Sequence, residues 1–146
     1  MPIAVEILSH FIPKWKTVVV AKYKSFPEEN YKSEWYWNFA NMPIFVLVDW
    51  LSASASEIIA MALKEDIWAT IIGTKTYWKW SIQTVVDLND WSTIKLTVWK
   101  RYSPNWKNID KEWFAPDIEI PFDYTWFQKK QIDNQLQKAI EIMNSK

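Results

Sequence analysis

A chain of 146 residues with 49% hydrophobic side chains is long enough for one domain with its own apolar core. Seventeen Lys and Arg balance seventeen Asp and Glu, so no long-range field draws nucleic acid or anionic lipid. Cysteine is absent, which excludes disulfides and thiolate metal sites, and no apolar run approaches the roughly 20 residues of a membrane span.

The start, Met1-Pro2-Ile3-Ala4-Val5-Glu6, lacks the basic opening and unbroken apolar stretch of a signal peptide. Residues 2–12 place apolar side chains at 3, 4, 7, 8 and 11, the stripe of a helix. Residues 17–22 (TVVVAK) predict a β-branched strand, and 24–42 a loop with a short strand near 30–33. Residues 44–48 (IFVLV) are five apolar residues in a row, which predicts a central strand covered on both faces. Ser54 and Glu57 then have capping-box spacing, and the helix from about 55 to 65 is apolar nearly all round, so it should be buried. Residues 69–72 (ATII) predict a short strand, and 81–88 with 93–98 a hairpin in which Ile94, Leu96 and Val98 alternate with Lys95 and Thr97. Residues 100–116 read as loop and 117–120 (DIEI) as a short strand before Pro121. Residues 127–144 predict one amphipathic helix, with Ile132, Leu136, Ala139, Ile140 and Met143 on one side. The order αβ–βαβ–ββ–β–α predicts an α/β fold, a mainly parallel sheet with packed helices. No repeat, linker or low-complexity tract divides the chain.

One ratio is abnormal. Ordinary usage predicts about ten glycines in such a chain, yet there is one, Gly73, beside 12 tryptophans. The tryptophans follow no helical or strand period. Several stand where a turn wants glycine, as in Asn89-Asp90-Trp91-Ser92, Pro104-Asn105-Trp106 and Asp49-Trp50. A Trp-rich surface that stacks sugars or bases and a deliberately altered chain are two readings of this pattern. The third, which accounts for the placement best, is a source genome that reads UGA as glycine, with the gene translated as though UGA were tryptophan.

Ser54 follows a buried strand and opens a buried helix, where outward-pointing backbone N–H groups and the helix dipole suit a developing oxyanion. By spacing alone an ordinary N-cap serine is the better account. Lys79, between Trp78 and Trp80, becomes a lysine on a tight turn if both neighbours are read as glycine. A lysine desolvated enough to lose its proton can activate a serine, although a solvated surface lysine gives the same local sequence. Gln83, four residues on, could hydrogen-bond the amine or be a plain strand residue. His10 is the only histidine, lies on the first helix and has no recognisable acid partner, so a Ser-His-Asp triad is not expected. The carboxylates show no metal spacing and there is no phosphate-binding glycine loop.

Taken together, Leu51-Ser52-Ala53-Ser54-Ala55-Ser56-Glu57, Thr76-Tyr77-Trp78-Lys79-Trp80, Asp90-Trp91-Ser92, Tyr102-Ser103-Pro104 and Ala115-Pro116-Asp117 resemble the motifs of the C-terminal processing (tail-specific) serine peptidases. The resemblance covers about residues 2–120. Most of the family's motif glycines fall on Trp here, and Gly73 matches one directly. The resemblance implies a ClpP/crotonase-like core and a serine–lysine dyad, with Ser54 as nucleophile, Lys79 as general base and Gln83 beside it. It also implies one oxyanion donor from the backbone of Ala55, and another from a glycine pair that the family places before the helix starting at residue 2. Residues 1–146 would be the C-terminal part of the catalytic domain, without the first core strands or the family's PDZ domain. Such a piece can hold the dyad without being active alone. The resemblance further implies protein or peptide C-termini as substrates, no cofactor, metal or nucleic acid, and a site of action outside the cytoplasm or at a membrane. A homo-oligomer stays open, as does a catalytically dead module that only binds peptides.

Overall fold

The computed structural model describes residues 2–23, 27–34, 36, 38–39, 41–77, 81–105 and 115–145. Helix α1 (Pro2–Ser9) opens on a proline, whose missing N–H costs nothing in a first turn. It buries Ala4, Val5 and Leu8. It stops short of the predicted end. The Phe11 and Ile12 N–H groups both return to the Leu8 carbonyl as a tight turn ahead of Pro13.

Strand β1 (Thr17–Tyr23) buries Val18, Val19, Val20 and Ala21 in succession, so both of its faces are covered. It lies inside a four-stranded antiparallel sheet of order β2-β1-β6-β5, with β2 (Glu29–Lys32), β5 (Ser81–Asp87) and β6 (Thr93–Tyr102). The last two form the predicted hairpin.

A second, parallel sheet runs β3-β4-β7, from β3 (Phe45–Val48), β4 (Thr70–Gly73) and β7 (Ile118–Glu119). Helix α2 (Ala55–Ile67) makes the crossover between β3 and β4. It carries Ile58, Ala60, Met61, Ala62 and Leu63 into one core with Val5, Leu8, Ile12, Val18, Val19, Val48 and Ile71. Asp117 fastens β7 in place. Partial burial opposes its charge, but Lys64 at 2.6 Å and the Ile71 N–H at 2.9 Å hold its carboxyl below the ordinary carboxylate range. The expected α/β class, with a parallel sheet and helices packed on it, is therefore what this chain forms.

Two expectations change. Strand β3 sits at the edge of its described sheet, and Phe45, Val46 and Leu47 are only half-buried. Five apolar residues in a row report what a strand could cover, not how many neighbours this length of chain supplies. The single C-terminal helix is two, α3 (Tyr124–Lys130) and α4 (Asn134–Asn144). Gln131 turns left-handed (φ 55°), and Asp133 then caps α4 by accepting the Gln135 and Leu136 N–H groups at 2.9 Å each. An Asp inside an apolar period is a better cap than a helix interior residue, and the cap wins.

Among the described residues, three tryptophans adopt the left-handed conformation that favours glycine: Trp15 (φ 70°), Trp68 (φ 59°) and Trp91 (φ 66°). Their indoles are 70%, 89% and 98% exposed, so burial returns little of the steric cost. Trp68 is the C-cap of α2, with its N–H on the Leu63 carbonyl, a position usually held by glycine. Trp68→Gly is expected to stabilise the chain by about 1 kcal/mol, read as a rise in thermal midpoint by circular dichroism. An unchanged or lower midpoint would count against a glycine position there. Trp106 lies outside the described residues.

Candidate active site

The site begins where β3 ends. Asp49 Oδ1 accepts three hydrogen bonds, from the Leu51 N–H, the Ser52 N–H and the Ser52 hydroxyl, each at 3.0 Å. The Ser52 hydroxyl in turn accepts the Asp49 N–H at 3.1 Å. This is an aspartate folding its own backbone into a turn. It reverses the chain before α2.

Ser54 follows at φ 56° and ψ −108°, far from either relaxed basin for a residue with a Cβ. Such a conformation costs on the order of 1–3 kcal/mol and persists only where the surroundings enforce it. A serine on a sharp, strained strand-to-helix turn is a recognised way to present a nucleophilic hydroxyl. Here the enforcement is visible. The Ser54 carbonyl accepts the first helical bond from Ile58 N–H at 3.1 Å, and its N–H donates to Glu57 Oε2 at 2.8 Å. The capping box that the spacing of Ser54 and Glu57 marks is thus present at the helix start. The next residue, Ala55, is the first of the helix and is exposed. No acceptor among the described residues takes its N–H.

Glu57 is fully buried, and its second oxygen accepts the Thr76 hydroxyl at 2.6 Å. Beside that bond, the Tyr77 N–H donates to the Ser52 carbonyl at 3.0 Å. The segment that follows β4 is therefore tied twice to the serine turn. Lys79 lies outside the described residues. Gln83 lies on β5, paired with Thr97 of β6, next to a register shift between Ile82 and Gln83.

The structure thus brings Ser54, Ala55 and Glu57 together at one helix start and draws the chain at Thr76 and Tyr77 against them. Asp49 and Thr76 were not singled out from sequence. Asp49 carried a signal, since an Asp two residues before an exposed N–H favours such a turn. Thr76 carried one only through the motif around Lys79. His10 has a local role: its Nδ1 is 3.0 Å from Asn38 Nδ2, and its ring stacks on Tyr36 with centroids 4.8 Å apart. Among the described residues no group of three or more His, Asp or Glu could hold a metal ion, and no helix is long and apolar enough to cross a membrane.

A strained serine thus stands at the mouth of a buried helix on a parallel βαβ unit, an arrangement that serine hydrolases use to present a nucleophile. Residues 1–120 match Peptidase family S41, and the chain belongs to that family. It is 39% identical over 103 residues to carboxyl-terminal-processing peptidase 3, chloroplastic, of Arabidopsis thaliana, covering 70% of this chain and 18% of that protein. It is 36% identical over 115 residues to the carboxy-terminal processing protease CtpB of Bacillus subtilis, covering 79% of this chain and 24% of that one. The chain therefore spans about a quarter or less of the length of these two relatives. Among solved structures, the photosystem II D1 C-terminal processing protease superposes with a TM-score of 0.67 at 31% identity, over 82% of this chain and 31% of that one. A putative S41 protease from Bacteroides fragilis superposes with a TM-score of 0.77 over 97% of this chain and 41% of that one. At 16% identity, it speaks for the fold alone.

Proposed function

We propose that the chain carries the nucleophile and base of a serine endopeptidase that cleaves proteins near their C-termini, and that it forms the C-terminal part of that enzyme's catalytic domain. The observation that carries the reading is the enforced conformation of Ser54 at the start of α2. Membership of family S41 and the names of the relatives point to the same chemistry.

The reaction is acyl transfer. The Ser54 hydroxyl attacks the scissile carbonyl carbon while the neutral amine of Lys79 takes its proton. Negative charge then gathers on the carbonyl oxygen. Glu57 occupies the Ser54 N–H, which leaves the Ala55 N–H as the donor that this turn offers to the oxyanion. Lys79 returns the proton to the leaving amine as the C–N bond breaks, and an ester on Ser54 remains. Lys79 next deprotonates a water, which hydrolyses the ester and restores Ser54. Gln83 directs the lysine amine by a hydrogen bond. Strand β5 carries Gln83 four residues beyond Lys79, on the segment that Thr76 and Tyr77 lead into. The substrates are polypeptide C-termini, and the site of action lies outside the cytoplasm or at a membrane, as the family resemblance implies.

Ser54→Ala in the full-length protein is expected to abolish hydrolysis of a peptide with a free C-terminus, a loss on the order of 10⁴-fold or more in kcat. An organophosphonate should label wild-type Ser54 and nothing in the variant, as read by peptide mass mapping. Hydrolysis unchanged in the variant would overturn the assignment. A wild-type protein that binds C-terminal peptides without cleaving or being labelled would show a peptide-binding module instead.

A further inference from the structure

A capping box asks of its glutamate only that the carboxylate reach the N-cap N–H, and an exposed glutamate does that. Glu57 is different. It is 0% exposed, although a buried carboxylate costs several kcal/mol unless hydrogen bonds offset the lost water. Of its two oxygens, one accepts the Ser54 N–H at 2.8 Å and the other the Thr76 hydroxyl at 2.6 Å. Thr76 is 19 residues further along the chain, beyond α2 and β4, so this contact is not a feature of helix capping.

We infer that Glu57 and Thr76 are a positioning couple that holds the nucleophile turn in register with the segment leading to Lys79. The inference rests on the reading of Ser54 and Lys79 as nucleophile and base. Position 76 is three residues before the lysine, and position 54 is the serine itself. One buried carboxylate therefore grips the backbone of the nucleophile and a side chain of the arm that carries the base. The Tyr77 N–H to Ser52 carbonyl bond lies alongside and closes a second link between the same two segments.

The grip has a specific task at Ser54. That residue holds φ 56° and ψ −108°, which the backbone leaves unless its groups are fixed. Glu57 takes the N–H of the strained residue itself. Hydrogen bonds to a carboxylate are short and roughly twice as strong as neutral ones, which suits them to the work. Neither Glu57 nor Thr76 needs to touch substrate. Their effect passes through the distance between hydroxyl and amine, where a misplacement of about 1 Å costs on the order of 100-fold in rate.

The test uses the full-length protein and begins with Thr76→Val, which keeps the shape and removes the donor. It is expected to lower kcat about 10- to 100-fold with KM unchanged. The number of Ser54 hydroxyls that an organophosphonate finally titrates should equal wild type while the labelling rate falls, which separates misplacement from unfolding. Thr76→Ser, which restores the donor, should recover most of the rate. In a Glu57→Ala background, Thr76→Val should cost nothing further, because the two residues act as one unit. Wild-type kcat in Thr76→Val, or losses that multiply in the double variant, would overturn the couple. The underlying reading fails separately, if Ser54→Ala retains activity.

Discussion

Lys79→Ala in the full-length protein is expected to lower kcat for peptide hydrolysis by about 10³- to 10⁴-fold while the protein stays folded and binds substrate as before. The reason is a mismatch of proton affinities. A serine hydroxyl attacks efficiently only when a base removes its proton in the transition state. This chain's single histidine is engaged with Asn38 and Tyr36 instead. A lysine amine serves if its site disfavours the ammonium form. Desolvation does this by penalising the charged state. The sign of the pH dependence follows. A base must be unprotonated, so kcat/KM should fall as pH drops through the lysine's pKa in the free enzyme and level off above it. Lys79→Arg should fail as badly as alanine, because a guanidinium keeps its proton at every accessible pH. An alanine variant with wild-type kcat, or a pH profile indifferent to position 79, would remove the lysine from the mechanism. These are steady-state measurements with a fluorogenic peptide.

What the sequence could say about this site divides by physical scale. Local signals were strong where one element decides its own form. The all-round apolar run of 55–65 does become the buried helix α2, and the alternation in 93–98 does become a strand of the hairpin. The spacing of Ser54 and Glu57 correctly marked the helix start. The same signals failed where the outcome depends on partners far along the chain. IFVLV has the composition of a central strand but is an edge strand in the described sheet. The period of 127–144 gave no warning that Asp133 would end one helix and cap another. The Glu57–Thr76 bond joins residues whose meeting depends on the β3–α2–β4 crossover, and no window of sequence contains it. Ser54's strained backbone was likewise out of reach, because strain at a turn is set by what enforces it. The lysine and the glutamine entered through motif resemblance, and Lys79 lies outside the described residues.

Gly73→Ala tests how narrowly the same region is built. Gly73 ends β4 at φ +138°, a conformation that side chains rarely adopt. It pairs with Val48 on one side and Glu119 on the other, so it is central where β3 and β7 are not. A Cβ there would run into the carbonyl oxygen of Val48. That oxygen is also the acceptor for the Thr74 N–H at 3.0 Å. Alanine must therefore hold a strained backbone and, to clear the Val48 oxygen, also push β3 away and break the bond. Strain of about 1–3 kcal/mol and a lost buried hydrogen bond of about 1–3 kcal/mol combine to an expected destabilisation of about 4 kcal/mol. For a domain of this size that is a fall in thermal midpoint of about 10–15 °C. Activity in the full-length protein should fall too, because the displaced end of β3 leads directly through Asp49 into the Ser54 turn. The comparison with Trp68→Gly sharpens the point. Both positions have positive φ, yet the indole at Trp68 points into open water and costs about 1 kcal/mol, whereas a methyl at Gly73 meets backbone. A side chain can be tolerated at an exposed helix end and not between two strands. If Gly73→Ala melts within a degree or two of wild type, β3 and β4 are not locked at this point, and the tight link between the sheet and the serine turn is lost with them.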